Sequence, residues 1–318
     1  MSNSTGVLLS NDTLTVEGDY TVQGVYCRPH KPAPHSILQF LVHGITYNKT
    51  LWSGFDFGHE YDWHAKATSR GYHTLAIDRL SHGDDTQFLD PVKVVQGSLQ
   101  VEILHKVIVN IRKGGTDSPL SHPFDQIAFV GHSWGSTVGV GHVSRYPNDF
   151  DAFVGTGFSA FLNRTALATK QRLTPAALAS MRFAHLPYGY LTVESAESRE
   201  SAFYGGLYDP RIPKADYMYQ DIVSIGEACY AGFATPATTF TGPALIVTGE
   251  NDNIFCNDVS MSCNEILDAT ARLLFPNSNY ETYAPANTGH DLTLHYSAQK
   301  SMNVVHDFLD RYFERDAE

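Results

Sequence analysis

The residue in this chain best placed to do chemistry is a serine between two glycines: the segment Phe129-Val130-Gly131-His132-Ser133-Trp134-Gly135 matches the pattern Gly-x-Ser-x-Gly. An apolar run ends at Val130 and small residues follow at Ser136, Thr137, Val138 and Gly139. Ser133 is therefore expected on a sharp strand-to-helix turn, where flanking side chains would collide with neighbouring backbone and only glycine fits. A serine hydroxyl attacks poorly until a base takes its proton, so the turn needs a histidine close in space. Along chains with such a turn the order is serine, acid, histidine, the histidine lying on a loop after the last strand.

That order selects partners. Tyr280-Glu281-Thr282-Tyr283-Ala284 reads as the last strand, and Asn287-Thr288-Gly289-His290-Asp291 follows as a polar loop. Position therefore picks His290 from 15 histidines as the base, with His295 as its rival. The acid should follow the preceding apolar run 244–247, where Gly249-Glu250-Asn251-Asp252-Asn253 stands; Asp252 is expected, with Glu250 and Asp258 as fallbacks. A carboxylate there would hold the imidazole in the productive tautomer and stabilise the imidazolium. An oxyanion also needs donors. The backbone N–H of Trp134 is one, and the N–H of Ile45, in His43-Gly44-Ile45 after the apolar run 37–42, is the other.

These groups require a particular scaffold. The runs 37–42, 73–78, 126–130 and 244–247 are nearly continuous in apolar residues, as suits strands buried on both faces of a parallel sheet. Between them lie stretches of helical period, clearest at Leu99, Ile103, Leu104, Val107, Ile108 and Ile111 before Gly114-Gly115. A last helix puts Met302, Val305, Phe308, Leu309 and Tyr312 on one stripe, with Arg311 and Arg315 near its end. At the front, 13–17 and 20–26 alternate around Gly18-Asp19, which predicts an antiparallel hairpin. The alternation of strand and helix predicts an α/β fold with a mostly parallel central sheet. It breaks over 161–241, a segment rich in Ala, Tyr, Phe, Met and Leu, expected to be a helical cap with helices near 175–183 and 215–231. Residues 1–160 and 242–318 would then form the core domain. No internal repeat or low-complexity tract interrupts this plan.

Composition narrows the function. A net charge of −12 without a clustered basic patch argues against nucleic-acid binding. No apolar run approaches the ~20 residues of a membrane span. Neither a cofactor nor a metal is expected. His59 and His64 are five apart, whereas a helical zinc pair must be four apart to share a face. Cys256 and Cys263 lack the partners of a zinc site and favour a disulfide, leaving Cys27 with Cys229 as a second candidate pair. Four cysteines and the sequons at Asn3, Asn11, Asn48 and Asn163 favour secretion, although the chain begins with no export signal; the alternative is a cytoplasmic protein.

Together Leu41-Val42-His43-Gly44, Asp78-Arg79-Leu80-Ser81-His82-Gly83, Gly131-His132-Ser133-Trp134-Gly135, Gly249-Glu250-Asn251-Asp252 and Gly289-His290 resemble the α/β-hydrolase superfamily over nearly the whole chain. The chain is also similar to fungal and bacterial hydrolases that are often secreted or tied to secondary metabolism. The resemblance implies a triad of Ser133, Asp252 and His290 with oxyanion donors Ile45 and Trp134 under a cap. One departure is local: where relatives carry Asp-x-x-Gly-x-Gly, Ser81 replaces the first glycine. The expected function is cleavage of a carboxylic ester or lactone of a fairly apolar small molecule through an acyl-enzyme. Aromatic residues of the cap such as Phe183, Tyr190, Phe203 and Tyr204 suit such a substrate. Two alternatives share the fold: hydrolysis of a carbon–carbon bond by the same triad, and a ligand-binding protein without catalysis. The serine of the turn argues against dehalogenase and epoxide hydrolase relatives, which carry aspartate there.

Overall fold

The structure, a computed structural model, describes residues 14–31, 36–83, 89–115, 118–120, 122–229, 235–257 and 260–313. The chain lays down strands β1 (Gly24–Cys27), β2 (Ile37–Val42), β3 (His73–Ile77), β4 (Gln126–His132) and β5 (Ala152–Thr156). It then leaves the sheet for three short strands, β6 (Leu173–Pro175), β7 (Tyr190–Val193) and β8 (Val223–Ser224), and returns with β9 (Ala244–Val247) and β10 (Tyr280–Tyr283). Seven strands form one sheet in the order β1-β3-β2-β4-β5-β9-β10; β1 runs antiparallel to β3 and every other pair is parallel.

The sequence explains the core of this sheet. Strands β2, β3, β5 and β9 are buried along their whole length, as continuous apolar runs require. The polar exception in β2, Gln39, accepts a hydrogen bond from Trp63 Nε1 at 2.8 Å. Between the strands lie α1 (Trp63–Ser69), α2 (Gly97–Lys113) and α3 (Trp134–Arg145). Helix α2 buries Leu104, Ile108 and Ile111 and stops at Gly114, whose φ of 64° only glycine adopts without strain. The excursion between β5 and β9 carries α4 (Arg164–Lys170), α5 (Ala176–Ala179), α6 (Ala196–Phe203), α7 (Ile212–Tyr219) and α8 (Ile225–Ala228). The chain ends with α9 (Cys263–Leu274) and α10 (Ala298–Tyr312). Helix α10 buries Met302, Val305, Phe308 and Leu309 and pairs Arg311 with Glu281 of β10, while Arg315 lies outside the described residues.

Three expectations need correction. The N-terminal hairpin does not form among the described residues; instead β1 pairs with the sheet edge, Gly24 opposite Ile77 and Cys27 opposite Thr74. Leu14 is 65% exposed and Val16 only partly buried, so 14–17 packs little of its apolar surface, whereas β1 gains a ladder on a sheet already buried. The excursion is not purely helical, because β6, β7 and β8 form an antiparallel sheet. The helix expected over 215–231 is split by β8, and 230–231 lie outside the described residues.

Register places the chemistry. Val42 is opposite Gly131, His132 opposite Thr156, Thr156 opposite Val247, and Val247 opposite Tyr283. The loops that follow β2, β4, β5, β9 and β10 therefore leave the sheet side by side at its carboxyl edge, where open parallel sheets bind ligands. The excursion meets this edge directly: Thr46 N–H donates to Ile222 O at 3.0 Å and Asp221 N–H donates to Thr46 O at 2.8 Å.

Candidate active site

Strand β4 runs into α3 with one residue between them. That residue is Ser133, at φ 53° and ψ −118°. Such a conformation costs a non-glycine residue about 1–3 kcal/mol and persists only where neighbours over-determine it. They do so here. Ser133 N–H donates to Thr156 O at 2.8 Å. A Cβ on Gly131 would lie 2.6 Å from Ser136 N, and one on Gly135 would lie 2.1 Å from Val42 O. Both glycines of the pattern are thus required by close backbone approach.

The loop after β10 brings His290 to this turn. Its ring centroid is 5.0 Å from that of His132, beside the serine, and its backbone N–H donates to Phe203 O at 2.8 Å. His290 Nδ1 lies 2.8 Å from Asp252 Oδ2, which leaves Nε2 as the nitrogen able to take a proton. Asp252 is held in turn: its Oδ1 accepts from Ile254 N–H at 2.7 Å and Phe255 N–H at 3.0 Å. Burial depresses the His290 pKa, but the Asp252 carboxylate, by charge and hydrogen bond, outweighs it and raises the pKa above the ordinary value. Ser133, Asp252 and His290 are all buried.

The alternatives are placed elsewhere. His295 has both ring nitrogens engaged in the backbone of the same loop: Nε2 accepts from Gly289 N–H at 2.9 Å and Nδ1 bonds Asp291 O at 2.8 Å. Glu250 is exposed, and Asp258 lies outside the described residues. The loop after β2 lies against the serine, since a Cβ on Gly44 would sit 3.0 Å from Ser133 Cβ. Ile45 is the next residue of that loop, and Trp134 opens α3 directly after the serine.

A model of the alpha/beta hydrolase family matches residues 39–303. The chain belongs to that family. Comparison with curated proteins finds no match in sequence. Among solved structures, this α/β hydrolase is similar to a thermophilic esterase from Thermogutta terrifontis, with TM-score 0.60, 13% identity, and 94% of this chain and 97% of that one covered. It is also similar to a Paleococcus ferrophilus monoacylglycerol lipase (TM-score 0.56, 14% identity, covering 91% of this chain and 99% of the other). An α/β hydrolase fold protein from Chitinophaga pinensis aligns with TM-score 0.56 and 12% identity, covering 92% of this chain and 97% of the other. At these identities the likeness is one of fold.

Sequence reasoning misses a second set of residues in this α/β hydrolase. Asp291, next to the histidine, accepts from His132 Nε2 at 3.0 Å through Oδ1, while its Oδ2 takes a short hydrogen bond from Tyr47. The Tyr47 hydroxyl also lies 3.0 Å from Asp216 Oδ2, which pairs with Arg199 Nε at 2.8 Å and accepts from Tyr204 at 2.8 Å. Burial alone would push the Asp291 pKa up, but the hydrogen bond from His132 holds it below its ordinary range. These partners come from four separate segments, and no local motif marks them. The pattern carries one usable signal: a histidine in the x position of Gly-x-Ser-x-Gly lies inside the sheet edge and needs a polar partner.

The cysteines divide. Cys256 and Cys263 form a disulfide that ties the loop bearing Asp252 to the start of α9, and Cys256 N–H donates to Asp252 O at 3.0 Å. Cys27 and Cys229 are both free, correcting the second pairing. They stand on elements with separate tasks, Cys27 ending the edge strand β1 and Cys229 capping α8 in the excursion. Asn48 Nδ2 donates to Asp221 Oδ2 at 2.9 Å inside the fold, so the amide of that sequon is occupied. Asn3 and Asn11 lie outside the described residues. His64, one of the two histidines with the wrong zinc spacing, is buried with Nδ1 2.7 Å from Thr74 Oγ1. Among the described residues no helix is long and apolar enough to cross a membrane.

Proposed function

We propose that the protein is a serine hydrolase that cleaves a carboxylic ester or lactone of a fairly apolar small molecule. Ser133 attacks the carbonyl, His290 takes its proton, and Asp252 orients His290 and stabilises the imidazolium. The oxyanion is met by the N–H groups of Ile45 and Trp134. The acyl-enzyme is then hydrolysed by water that His290 activates in the same way. One observation carries this reading: the Asp252–His290 hydrogen bond of 2.8 Å is assembled beside a serine held at φ 53° on a strand-to-helix turn. The scheme uses no cofactor or metal. The Cys256–Cys263 disulfide supports a secreted enzyme, as disulfides persist in oxidising compartments.

The test is hydrolysis of a panel of p-nitrophenyl esters and aryl lactones by wild type and Ser133→Ala, beside labelling with a fluorophosphonate. Turnover and labelling at Ser133 are expected in wild type. Loss of both is expected in the variant, with the melting temperature retained. Substantial hydrolysis by Ser133→Ala would reject the acyl-enzyme scheme.

A further inference from the structure

An oxyanion hole works only if its N–H groups point into the site and the neighbouring carbonyls point away. In the loop after β2 the carbonyls are held in an unusual way. His43 O accepts from Arg79 Nε at 3.0 Å. Gly44 O accepts from Arg79 Nη2 at 3.0 Å and lies 2.8 Å from His43 Nδ1. Thr46 O accepts from Asp221 N–H and, at 3.3 Å, from Arg199 Nη2, whose Nη1 also reaches Thr46 Oγ1 at 3.0 Å. Thr46 itself is held at φ 57°. Burial and the Arg79 charge push the His43 pKa well below its ordinary value, which keeps that imidazole neutral. Its Nε2 accepts from Arg79 N–H at 3.0 Å.

The decisive peptide joins Gly44 to Ile45. A trans peptide holds its C=O and N–H in one plane pointing in opposite directions, and no cis bond occurs among the described residues. By drawing Gly44 O toward its guanidinium, Arg79 therefore turns the Ile45 N–H the other way.

Arg79 is buried, so its charge must be countered. Its counter-ion comes from the excursion. Arg79 Nη1 makes a short ion pair with Glu227 Oε1, an oxygen that also accepts from Gln100 Nε2 at 2.7 Å. Glu227 is fixed by the capping box of α8, where its Oε2 accepts from Ser224 N–H at 2.8 Å. Arg199, which holds the far end of the same loop, belongs to the excursion on α6 and pairs with Asp216 on α7.

We propose that Arg79 is the positioning residue of the oxyanion hole, and that Glu227 holds it in place, so that the Ile45 N–H is aimed at the reacting carbonyl only when the excursion is seated on the sheet edge. The inference rests on the serine-hydrolase reading. It goes beyond that reading by tying transition-state stabilisation to an ion pair that touches neither substrate nor triad.

The test compares wild type, Arg79→Lys and Glu227→Gln on one p-nitrophenyl ester. It also measures inhibition by a trifluoromethyl ketone, which forms a tetrahedral adduct, and by the matching planar methyl ketone. Lysine keeps the charge but cannot reach two carbonyls with one planar fork. Deleting an oxyanion donor outright costs about 10²–10³ in kcat, so a misdirected donor should cost about 30-fold, with KM changed by less than about twofold. The trifluoromethyl ketone should lose affinity in parallel with kcat/KM, while the methyl ketone and the midpoint of the pH profile, which reports His290, stay put. A merely structural ion pair would lower stability without this selective loss. A folded Arg79→Lys enzyme with kcat within about threefold of wild type overturns the proposal, as does a loss shared equally by both ketones. Should Arg79→Lys fail to fold, Glu227→Gln decides: a kcat-selective loss supports the proposal, and wild-type kcat overturns it. A wild type that neither turns over nor labels at Ser133 removes the hydrolase reading and this inference with it. An active wild type with an unaffected variant removes this inference alone.

Discussion

At the scale of single residues, the His290–Asp252 pair carries a pH dependence whose sign can be worked out. Under the proposed mechanism His290 must be neutral to take the serine proton, and its pKa is raised above the ordinary histidine value by Asp252. Activity is therefore lost as pH falls through that raised pKa and is fully present above it. Replacing Asp252 by Asn removes the charge that does the raising and leaves burial, which favours the neutral ring. The midpoint of kcat/KM should move to lower pH, and the rate on the plateau should fall by roughly 10⁴-fold because the amide permits the wrong tautomer. A pH–rate profile of the two enzymes checks both parts. An unmoved midpoint would assign the acid role to another group, Asp291 being the nearest buried carboxylate in the chain. Asp291 engages His132 and Tyr47 rather than Asp252's partner nitrogen, which separates the two carboxylates by role.

Elements set how tightly these residues are held. The strand-to-helix turn works because β4 and α3 pack closely on each other and on the end of β2. Gly135 sits where a methyl group would meet Val42 O at 2.1 Å, and that contact is with backbone that cannot swing aside. Gly135→Ala should therefore destabilise the protein by at least the ~1–3 kcal/mol of an overpacked core site, and should shift the start of α3 with its Trp134 N–H. Urea unfolding of the variant reads the stability. A loss under about 0.5 kcal/mol would show that the approach of α3 to β2 is looser than described. Gly139, one turn on, is constrained by a different neighbour, since a Cβ there would meet the Phe129 ring at 2.2 Å. A side chain can move where a carbonyl cannot, so the two glycines should differ in tolerance.

For the whole molecule, buried charge lies where the excursion meets the sheet: Arg79–Glu227 joins the two, and Arg199–Asp216, within the excursion, reaches Thr46 and Tyr47. Arg79–Glu227 and Arg199–Asp216 are ion pairs with no exposed side-chain surface. Arg199 also stacks over Tyr47, 4.3 Å from its ring centroid, and over Phe203 at 5.0 Å. Such pairs add little net stability when intact, because desolvation offsets attraction, but breaking one leaves a buried charge uncompensated. Asp216→Asn should accordingly cost about 3–5 kcal/mol in a denaturant titration, far more than removing a surface charge. A cost below about 1 kcal/mol would mean that Arg199 finds water when its carboxylate is gone.

Sequence alone determines the parts of this protein that depend on period and on local backbone. The buried strands β2, β3, β4 and β9, the long helices α2 and α10, the turn at Ser133 and the loops bearing Asp252 and His290 are legible from apolar runs, glycine positions and chain order, whereas the buried strand β5 is not picked out. Each is marked by a local pattern: an unbroken apolar run, a helical period, or glycines around a tight turn. The remainder is decided by tertiary structure. Whether 14–17 pairs with β1 depends on apolar cover that the flanking residues do not supply. The split of the expected 215–231 helix by β8 depends on pairing with β7, which lies far back in the chain. The network through His132, Asp291, Tyr47, Asp216 and Arg199, and the clamp of Arg79 on the loop after β2, join residues up to 244 positions apart. A buried charge is stable only beside its counter-ion, and which two charges meet is set by how the excursion folds back onto the sheet, a fact of packing that no local pattern encodes.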